Sequence, residues 1–240
     1  MSKSALVTGG NSGIGYATAQ LLKSQGYEVT ICGRDAGRVE QAAQELQVAY
    51  VVADLGDNDQ VESLIAGFAG RRLDALVNNA AIARFMPLSI CTNQDFDEFF
   101  NINVRGPINL IKGLLPALKE TRGAVTNVSS AVVNNGLPNA ALYAATKGAL
   151  EAATKSLSLE LAPFGVRINA VSPGAIDTPI ITKLGIDEAT QAAVKAQQEG
   201  TIPMRRFGRA EEVAEVIASQ LASTYTTGAT WCVDGGVNAY

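Results

Sequence analysis

The alternation of short apolar runs with helix-like segments is the feature that most restricts the fold of this 240-residue chain. Seven runs are nearly continuous in apolar residues, and they lie at residues 5–8, 28–32, 48–52, 75–77, 124–128, 167–171 and 231–233. Strands of that composition are buried on both faces, which is typical of a parallel sheet covered by helices. Helices are predicted between them, at residues 13–24, 38–46, 58–68, 94–118, 139–161 and 210–221.

Strand–helix repetition with right-handed crossovers predicts a doubly wound α/β fold. The chain has no evident linker, repeat or low-complexity segment, so we expect one domain over residues 1–240. Thr92 and Asp95 form a predicted capping box at the start of the fourth helix.

One connection is unusually long. About 38 residues separate residue 171 from residue 210, whereas connections in α/β units usually take about 2–6. Residues 187–198 within it are helix-like. We predict a lid over the site at about residues 179–207, and a plain insertion is the alternative.

Composition excludes several kinds of chemistry. The chain has no histidine, which excludes Ser-His-Asp catalysis, HExxH metal sites and imidazole bases. Its three cysteines, Cys32, Cys91 and Cys232, lie far apart, so we expect no metal site and a reducing compartment. The net charge of −4 argues against nucleic-acid binding. Acid or base chemistry must therefore come from Tyr, Lys, Asp, Glu or Cys.

No segment resembles a targeting or membrane-spanning sequence. Residues 1–4 run directly into the first apolar strand, without the apolar core of about 7–15 residues that a signal peptide has. No run of about 18 uncharged apolar residues occurs. We therefore expect a cytoplasmic protein that does not bind a membrane.

A glycine-rich turn joins the first strand to the first helix. Residues 8–15 read Thr-Gly-Gly-Asn-Ser-Gly-Ile-Gly, a GxxxGxG spacing without the Gly-Lys-Ser/Thr of a triphosphate loop. Glycines let the backbone approach a pyrophosphate, and the helix N-terminus supplies free N–H groups. A turn without a ligand is the alternative. The predicted phosphate contacts are Gly9, Asn11, Ser12, Gly13, Ile14 and Gly15.

The end of the second strand bears on which dinucleotide binds. Gly33 occupies the position where an acidic residue would bind the ribose 2′-hydroxyl of NAD, and Arg34 follows it. A guanidinium group matches the oxygens of a 2′-phosphate. We therefore predict NADP as the cofactor, with NAD as the alternative, and Asp35 as a helix cap. Arg34 could also be a solvated surface residue.

Polar residues follow the third and fourth strands as well. Asp54 and Leu55 are candidates to hold the adenine edge. If the strand order is 3-2-1-4-5-6-7, strands 1 and 4 diverge where ligands bind in such sheets. Thr8 would then meet the fourth-strand segment Asn78-Asn79-Ala80-Ala81. The asparagines could also simply tie loops together.

A phenol and an ammonium group lie one turn apart on the fifth predicted helix. Tyr143 and Lys147 share a helix face, and a nearby cation would lower the tyrosine pKa from its usual value near 10. Ser130 lies thirteen residues before Tyr143 at the end of a strand, with Ser129 beside it. Asn103 lies in the preceding helix, and Val-Ser-Pro-Gly-Ala-Ile-Asp-Thr at residues 171–178 ends the sixth strand.

With these motifs in this order, the sequence resembles the short-chain dehydrogenase/reductase family in its single-domain form. The resemblance extends from Thr8 to Gly236 and implies a Rossmann sheet of seven strands. It implies Tyr143 as the catalytic acid/base. Lys147 would lower the pKa of Tyr143 and bind the nicotinamide ribose, and Ser130 would bind the substrate oxygen. Asn103 would hold a water of a proton relay, and Ser129 is the alternative serine.

The resemblance also implies further cofactor contacts. These are Asn79, Ala80, Ala81, Pro173, Gly174, Ile176 and Thr178. Ala81 departs from the glycine that is usual in the family, and one added methyl should be tolerated. The implied activity is hydride transfer between NADP(H) and a carbonyl or secondary alcohol, with the protein supplying the proton. The candidate substrate pocket is apolar and consists of Val132, Leu137, Ala175, Ile180 and Leu184.

The sequence leaves alternative functions open, and the resemblance bears on the oligomeric state. A 3-oxoacyl-carrier-protein reductase would need a basic patch, for which Arg205, Arg206 and Arg209 are candidates, although they could be ordinary surface charge. The further alternatives are an NAD-dependent alcohol dehydrogenase and a non-catalytic dinucleotide sensor. The family resemblance suggests a homotetramer built through helices 94–118 and 139–161. The leucines of helix 139–161 could instead pack on the sheet and take no part in a subunit interface.

Overall fold

The computed structural model describes residues 2–177 and 199–239, which form a seven-stranded parallel sheet with helices on both faces. The strands are β1 (Lys3–Thr8), β2 (Tyr27–Gly33), β3 (Ala49–Val52), β4 (Ala75–Asn78), β5 (Ala124–Val128), β6 (Arg167–Pro173), β7 (Ile176–Asp177), β8 (Gly208–Arg209) and β9 (Thr230–Val233). The α-helices are α1 (Gly13–Ser24), α2 (Ala36–Leu46), α3 (Asn58–Ala66), α4 (Asn93–Phe100), α5 (Gly106–Thr121), α6 (Val132–Asn135), α7 (Ala141–Leu161) and α8 (Ala210–Ala222). Short 3₁₀ turns lie at Leu88–Ile90 and Ala162–Phe164.

The order of strands confirms the predicted topology. The large sheet runs β3-β2-β1-β4-β5-β6-β9, and every neighbouring pair is parallel. Strand β9 is the seventh strand that the sequence predicted. Because the order reverses between β1 and β4, the C-terminal ends of these two strands open a crevice in which ligands bind in such folds.

Two apolar layers cover the sheet. Helices α1, α2 and α8 bury residues such as Leu22, Val39 and Ile217 against one face. Helices α3 and α5 bury Leu64 and Leu114 against the other face. The sheet is therefore covered on both sides, as its nearly continuous apolar strands require.

Helix α7 packs against the sheet through its leucines. Leu150 and Leu161 are both buried. Leu157 is partly buried and packs against the core cluster that contains Leu161. These leucines therefore pack on the sheet, which was the alternative to a role in a subunit interface. A subunit contact on α7 would have to use other residues.

The predicted helix at 94–118 is interrupted. It begins as α4, for which Thr92 and Asp95 form the predicted capping box. It then widens into a π-helical turn at Asn101–Arg105 and continues as α5. Close packing follows at Gly106, where a Cβ would lie 2.6 Å from the Leu55 carbonyl oxygen. Propensity gives no signal for a π-turn, which is why the sequence predicted one continuous helix.

The long connection is tied to the body of the protein where it is described. Strand β7, where the connection begins, pairs with strand β8, where it ends. Residues 199–207 pack on the C-terminal turn, where Met204 donates from its backbone N to the Gly235 carbonyl oxygen at 3.1 Å. The predicted helix at 187–198 and most of the predicted lid lie outside the described residues. None of the helices described is long and apolar enough to span a bilayer.

Candidate functional site

The glycine-rich turn is closely packed at the end of β1. Gly9 has a φ of +65° and its N–H donates to the Cys32 carbonyl oxygen at 2.7 Å. A Cβ on Gly15 would lie 2.2 Å from the Gly9 carbonyl oxygen, so α1 can start here only with glycine at that position. Ser12 is exposed at the N-cap of α1, and its side chain makes no capping hydrogen bond. The turn therefore offers a helix N-terminus with unused N–H groups, which fits a pyrophosphate.

Asn79 joins the end of β4 to this turn. Its side-chain nitrogen donates to the carbonyl oxygens of Thr8 at 2.9 Å and Gly9 at 3.2 Å. The Thr8 hydroxyl in turn accepts from the backbone N–H groups of Asn79 and Ala80 at 3.0 and 3.1 Å. The two strand ends meet as their divergence predicts. Ala81, one residue further on, is exposed.

The neighbouring asparagine points elsewhere. The Asn78 amide nitrogen donates to the Asn127 side-chain oxygen at 2.9 Å, inside the protein. Asn78 thus ties strands β4 and β5 together, the structural role that the sequence left open for it.

The end of β2 leaves no room for an acidic side chain without rearrangement. A Cβ on Gly33 would lie 2.8 Å from the side-chain oxygen of Asn11. Arg34 is exposed and lines a cleft of about 380 Å³ together with Asp54. Asp35 caps α2 by accepting from the Arg38 backbone N–H at 3.0 Å, which confirms the predicted cap.

The two candidates at the end of β3 differ in placement. Asp54 accepts from the Gly56 backbone N–H at 2.8 Å and lines the cleft. The Leu55 side chain is 4% exposed and belongs to the hydrophobic core. It is not among the residues that line the cleft.

Ser130, Tyr143 and Lys147 meet at the end of β5. The Ser130 side chain lies beside the Tyr143 phenol and acts to lower its pKa. The Lys147 ammonium is buried and donates from Nζ to the Val128 carbonyl oxygen at 2.6 Å. It lies 5.7 Å from the centroid of the Tyr143 ring. The predicted convergence of a phenol and an ammonium at the strand ends is therefore present in the structure.

The electrostatics of this group differ from the expectation. Burial raises the pKa of Tyr143 above its ordinary value, and the neighbouring Ser130 hydroxyl only partly opposes this effect. Burial lowers the pKa of Lys147 to about 8. Desolvation outweighs the other contributions to the pKa of Tyr143, and the Lys147 ammonium is directed at a carbonyl oxygen, so a lowering of this pKa by Lys147 stays a prediction.

Asn103 lies in the π-helical turn and is fully buried. Its side-chain oxygen accepts from the Ile82 backbone N–H at 2.9 Å. Its amide nitrogen donates to the Ile82 carbonyl oxygen at 3.0 Å and to the Thr146 hydroxyl at 3.1 Å. Both amide protons are therefore used within the protein, and the side-chain oxygen keeps one lone pair that could hold a water.

Ser129 and Ser130 point in different directions. The Ser129 hydroxyl donates to the Glu151 carboxylate at 2.5 Å, in the interior. Ser130 is only partly buried and faces Tyr143. The structure thus separates the two serines that the sequence left as alternatives, and it brings Ser130 to the phenol.

The remaining cofactor candidates line the end of β6. The Pro173 carbonyl oxygen accepts from the Ala131 backbone N–H at 2.8 Å, and a Cβ on Gly174 would lie 2.8 Å from the Asp234 Cα. Ile176 is buried in the core. Thr178 lies outside the described residues.

The substrate candidates are only partly placed. Val132 is buried at the start of α6, Leu137 is 50% exposed and Ala175 is partly buried. Ile180 and Leu184 lie outside the described residues. Phe85 was missed: its ring packs edge-on against the Tyr143 ring, with the centroids 6.2 Å apart. An isolated aromatic residue in a loop gives no sequence signal that could have identified it.

The basic cluster is partly neutralised. Arg206 forms a two-pronged ion pair with Glu212, with N–O distances of 2.7 and 2.9 Å. Arg205 donates to the Gly200 carbonyl oxygen, and the Arg209 backbone N–H donates to Glu212 at 2.7 Å. In the part of the chain that is described, no cluster of three acidic or thiol side chains could hold a metal ion.

Known proteins resemble this chain over nearly its full length. Residues 9–238 match a family model described as enoyl-(acyl carrier protein) reductase. A 3-oxoacyl-[acyl-carrier-protein] reductase of Thermotoga maritima is 35% identical, and the match covers 98% of this chain and 97% of that protein. An L-xylulose reductase of Mesocricetus auratus is 34% identical over 97% of this chain and 95% of that protein.

Solved structures agree with this relationship. A protein described as a short chain dehydrogenase/reductase family member superposes with a TM-score of 0.88 at 35% identity, over 99% of this chain and 98% of that one. A 3-ketoacyl-(acyl-carrier-protein) reductase from Brucella melitensis, complexed with NADH, gives a TM-score of 0.89 at 31% identity over 98% of both chains. An actinorhodin polyketide ketoreductase with NADPH gives 0.93 at 28% identity, over 100% of this chain and 98% of that one.

The glycine cradle, the strand-end crevice and the Ser130–Tyr143–Lys147 group fit a nicotinamide dinucleotide beside an acid/base. With these full-length matches, the chain belongs to the short-chain dehydrogenase/reductase family of oxidoreductases, which act on carbonyl and hydroxyl groups with a nicotinamide dinucleotide.

Proposed function

We propose that the protein is an NADP(H)-dependent reductase of carbonyl compounds, with Tyr143 as the proton donor. The observation that carries this proposal is that Ser130 and Tyr143 lie together beside the buried Lys147 ammonium, which is 5.7 Å from the centroid of the Tyr143 ring. The bound cofactor would supply the hydride. The protein's task is then to hold the carbonyl oxygen and give it a proton.

The chain's own residues can perform that task in a simple order. The hydroxyls of Ser130 and Tyr143 would hold the substrate oxygen between them, and the Tyr143 phenol would give it a proton. Since burial raises the pKa of Tyr143, the phenol stays protonated at neutral pH, which suits an acid in the reducing direction. In the reverse direction, Tyr143 would take the proton of an alcohol.

Lys147 and Asn103 would serve the proton path. Lys147 would bind the hydroxyls of the nicotinamide ribose, and Asn103 would hold a water through the remaining lone pair of its side-chain oxygen. Asn103 also fixes Thr146, the neighbour of Lys147 in α7.

NADP is our proposal for the cofactor, with NAD as the alternative. Arg34 is exposed at the cleft that Asp54 shares, and Gly33 brings no carboxylate that would repel a 2′-phosphate. The cleft is also lined by Asp57, Asp97 and Glu98, whose charges oppose a phosphate. Glu98 is paired with Arg84 at 2.6 Å, which reduces this opposition.

The direct test is a panel of ketones, aldehydes and secondary alcohols, with NADPH consumption or NADP⁺ reduction read by absorbance. We expect turnover of at least one hydrophobic carbonyl compound, and a lower KM for NADPH than for NADH. Tight NADPH binding without turnover of any member would favour the non-catalytic sensor. A lower KM for NADH would instead make the protein an NAD-dependent alcohol dehydrogenase.

A 3-oxoacyl-carrier-protein reductase is the second candidate, because the Thermotoga maritima relative carries that name. Arg205 is exposed and its guanidinium is not neutralised by a carboxylate among the described residues, so it could meet an acidic carrier. A comparison of the 3-oxoacyl group on its carrier with the same group on a short thiol decides this question. A carrier preference that falls in Arg205→Ala but not in Arg72→Ala would establish it.

Assembly and location complete the proposal. We propose a homotetramer in which the exposed faces of α4 and α7 meet partner subunits, since Leu159 is 79% exposed on α7 and Phe96 is 47% exposed on α4. Light scattering of the purified protein would test this, and a monomer would contradict it. The three cysteines are all unpaired, which supports a cytoplasmic location.

A further inference from the structure

One face of α7 contacts four consecutive residues at the end of β5. The contacting helix positions are spaced by four, four and three residues, which places them on one side of the helix. The contacts join Tyr143 to Ser130, Lys147 to Val128, Glu151 to Ser129 and Thr154 to Asn127. Two of these contacts belong to the proposed chemistry. The contact of Glu151 with Ser129 has no role in it so far.

The Glu151–Ser129 contact is short and lies in the interior. The Ser129 hydroxyl is 2.5 Å from a carboxylate oxygen of Glu151, and the two residues are 3% and 9% exposed. A carboxylate is costly to bury without a partner, and a hydroxyl that donates to a carboxylate makes a stronger bond than a neutral pair. Such a bond fixes the Ser129 side chain firmly.

The backbone on either side of Ser130 is held as well. The Ser129 N–H donates to the Val171 carbonyl oxygen at 2.7 Å, and the Ala131 N–H donates to Pro173 at 2.8 Å. These bonds fix the distance to β6 but do not fix rotation of the segment about its own axis. The Ser129 side chain supplies that constraint through its bond to Glu151 on α7.

We propose that Glu151 is a positioning residue whose carboxylate holds the Ser129 hydroxyl and thereby fixes the Ser130 hydroxyl on the Tyr143 phenol. Because Tyr143 and Glu151 lie on the same helix, the helix sets the position of the serine from both sides. The inference rests on the proposed function for its kinetic test, and a second readout that needs no turnover separates the two.

The kinetic test uses Ser129→Ala and Glu151→Ala. Small misplacements of a catalytic group lower the rate strongly, so we expect each variant to lower kcat about tenfold while the KM for NADPH stays within about twofold. Glu151→Gln keeps an oxygen that can accept from Ser129, and it should recover most of the rate. The double variant should be no worse than either single variant, since both act through one bond.

The control is Ser158→Ala, which removes a different buried serine hydroxyl, one that lies on α7 itself. Ser158 donates to the Lys155 carbonyl oxygen at 2.7 Å, away from β5. It should keep the wild-type kcat. Ser129→Ala removes the same bond by the loss of a single oxygen atom. It therefore tests the inference even if Glu151→Ala does not fold.

The second readout is the NMR signal of the phenol carbon in protein labelled at tyrosine, with Tyr143 assigned by its loss in Tyr143→Phe. Ser129→Ala and Glu151→Ala should shift this signal in the same direction as Ser130→Ala, whereas Glu151→Gln and Ser158→Ala should not. Wild-type NMR signals and rates in both alanine variants would overturn the inference. A double variant whose loss in kcat equals the combined losses of the single variants would also overturn it, as would a kcat of Glu151→Gln as low as that of Glu151→Ala. If no carbonyl compound is reduced but the signal shifts as stated, the proposed function fails and the inference stands.

Discussion

The side-chain nitrogen of Asn103 lies 3.1 Å from the Thr146 hydroxyl oxygen, and this hydrogen bond joins the π-helical turn to the helix that carries Tyr143 and Lys147. The same amide also bonds both backbone groups of Ile82. One buried side chain thus connects three segments around the site.

Asn103→Ala removes all three of these bonds and leaves buried polar groups without partners. We expect the free energy of unfolding to fall by about 2 kcal/mol, with a lower kcat. Urea denaturation of the variant measures the first effect. Asn135→Ala is the control, because Asn135 is exposed and makes one bond, to the Val237 carbonyl oxygen at 3.0 Å. Equal losses in the two variants would contradict a special role for Asn103.

Tyr143→Phe removes the proposed proton donor and keeps the ring. General acid catalysis contributes roughly 10²–10⁴-fold, so we expect kcat to fall by that order. Binding of NADPH, followed by the fluorescence of the cofactor, should change less than about twofold. Tyr225→Phe alters a fully exposed phenol and should leave both quantities unchanged. Retained turnover in Tyr143→Phe would remove this residue from the chemistry.

Arg34→Ala tests the choice of cofactor. Because a guanidinium pairs with phosphate oxygens through charge-assisted bonds, we expect the KM for NADPH to rise about tenfold or more and that for NADH to stay constant. Arg38→Ala removes an exposed arginine four residues further on and should affect neither. If Arg34→Ala weakens NADPH and NADH equally, the arginine does not read the 2′-phosphate.

Gly15→Ala tests the cradle at the glycine turn. The added Cβ would lie 2.2 Å from the Gly9 carbonyl oxygen, so the turn must open or the helix must move. We expect weaker binding of both dinucleotides and a lower melting temperature. Gly37→Ala is the matched control, since its Cβ would have no neighbour closer than 3.7 Å. Its melting temperature should stay equal or rise, because alanine is the better helix former.

The buried Lys147 makes stability depend on pH in a defined window. Burial lowers its pKa to about 8 from an ordinary value of 10.5. Between these values the unfolded chain binds more protons than the folded one, so the contribution of Lys147 to the unfolding free energy rises with pH. The unfolding free energy of wild type minus that of Lys147→Met should therefore rise by about 2 kcal/mol from about pH 7.5 to about pH 9.5.

Urea denaturation at both pH values measures this difference in the protein without cofactor. Lys155 is exposed on the same helix, and Lys155→Met should show no such change. A difference that falls with pH would mean that Lys147 gains a partner on folding that outweighs its burial.

Sequence patterns were sufficient for the sheet and for the meeting of the chemical groups. Apolar strands and glycine-rich turns report directly on burial and chain direction, so the order of the seven strands followed. The thirteen-residue separation favoured Ser130 over Ser129, and in the structure Ser130 lies beside Tyr143 while Ser129 bonds Glu151.

Features that depend on three-dimensional neighbours were not predictable. No residue propensity encodes the π-helical turn in which Asn103 lies. The pKa of Tyr143 was expected to fall, because a neighbouring charge can be seen in the sequence but desolvation cannot. Leu55 was assigned to the cofactor site by its position after Asp54, and the burial of its side chain in the core could not be seen in the sequence.

The pairing of β7 with β8 brings Asp177 beside Arg209, and Ile176 beside Gly208. The two ends of the connection between Asp177 and Gly208 are therefore held at adjacent points. Because closing a longer loop costs little additional entropy, stretches of other lengths can be inserted between those two points with the sheet unchanged. Relatives can therefore differ in the length of this connection during evolution while they keep the same dinucleotide-binding sheet.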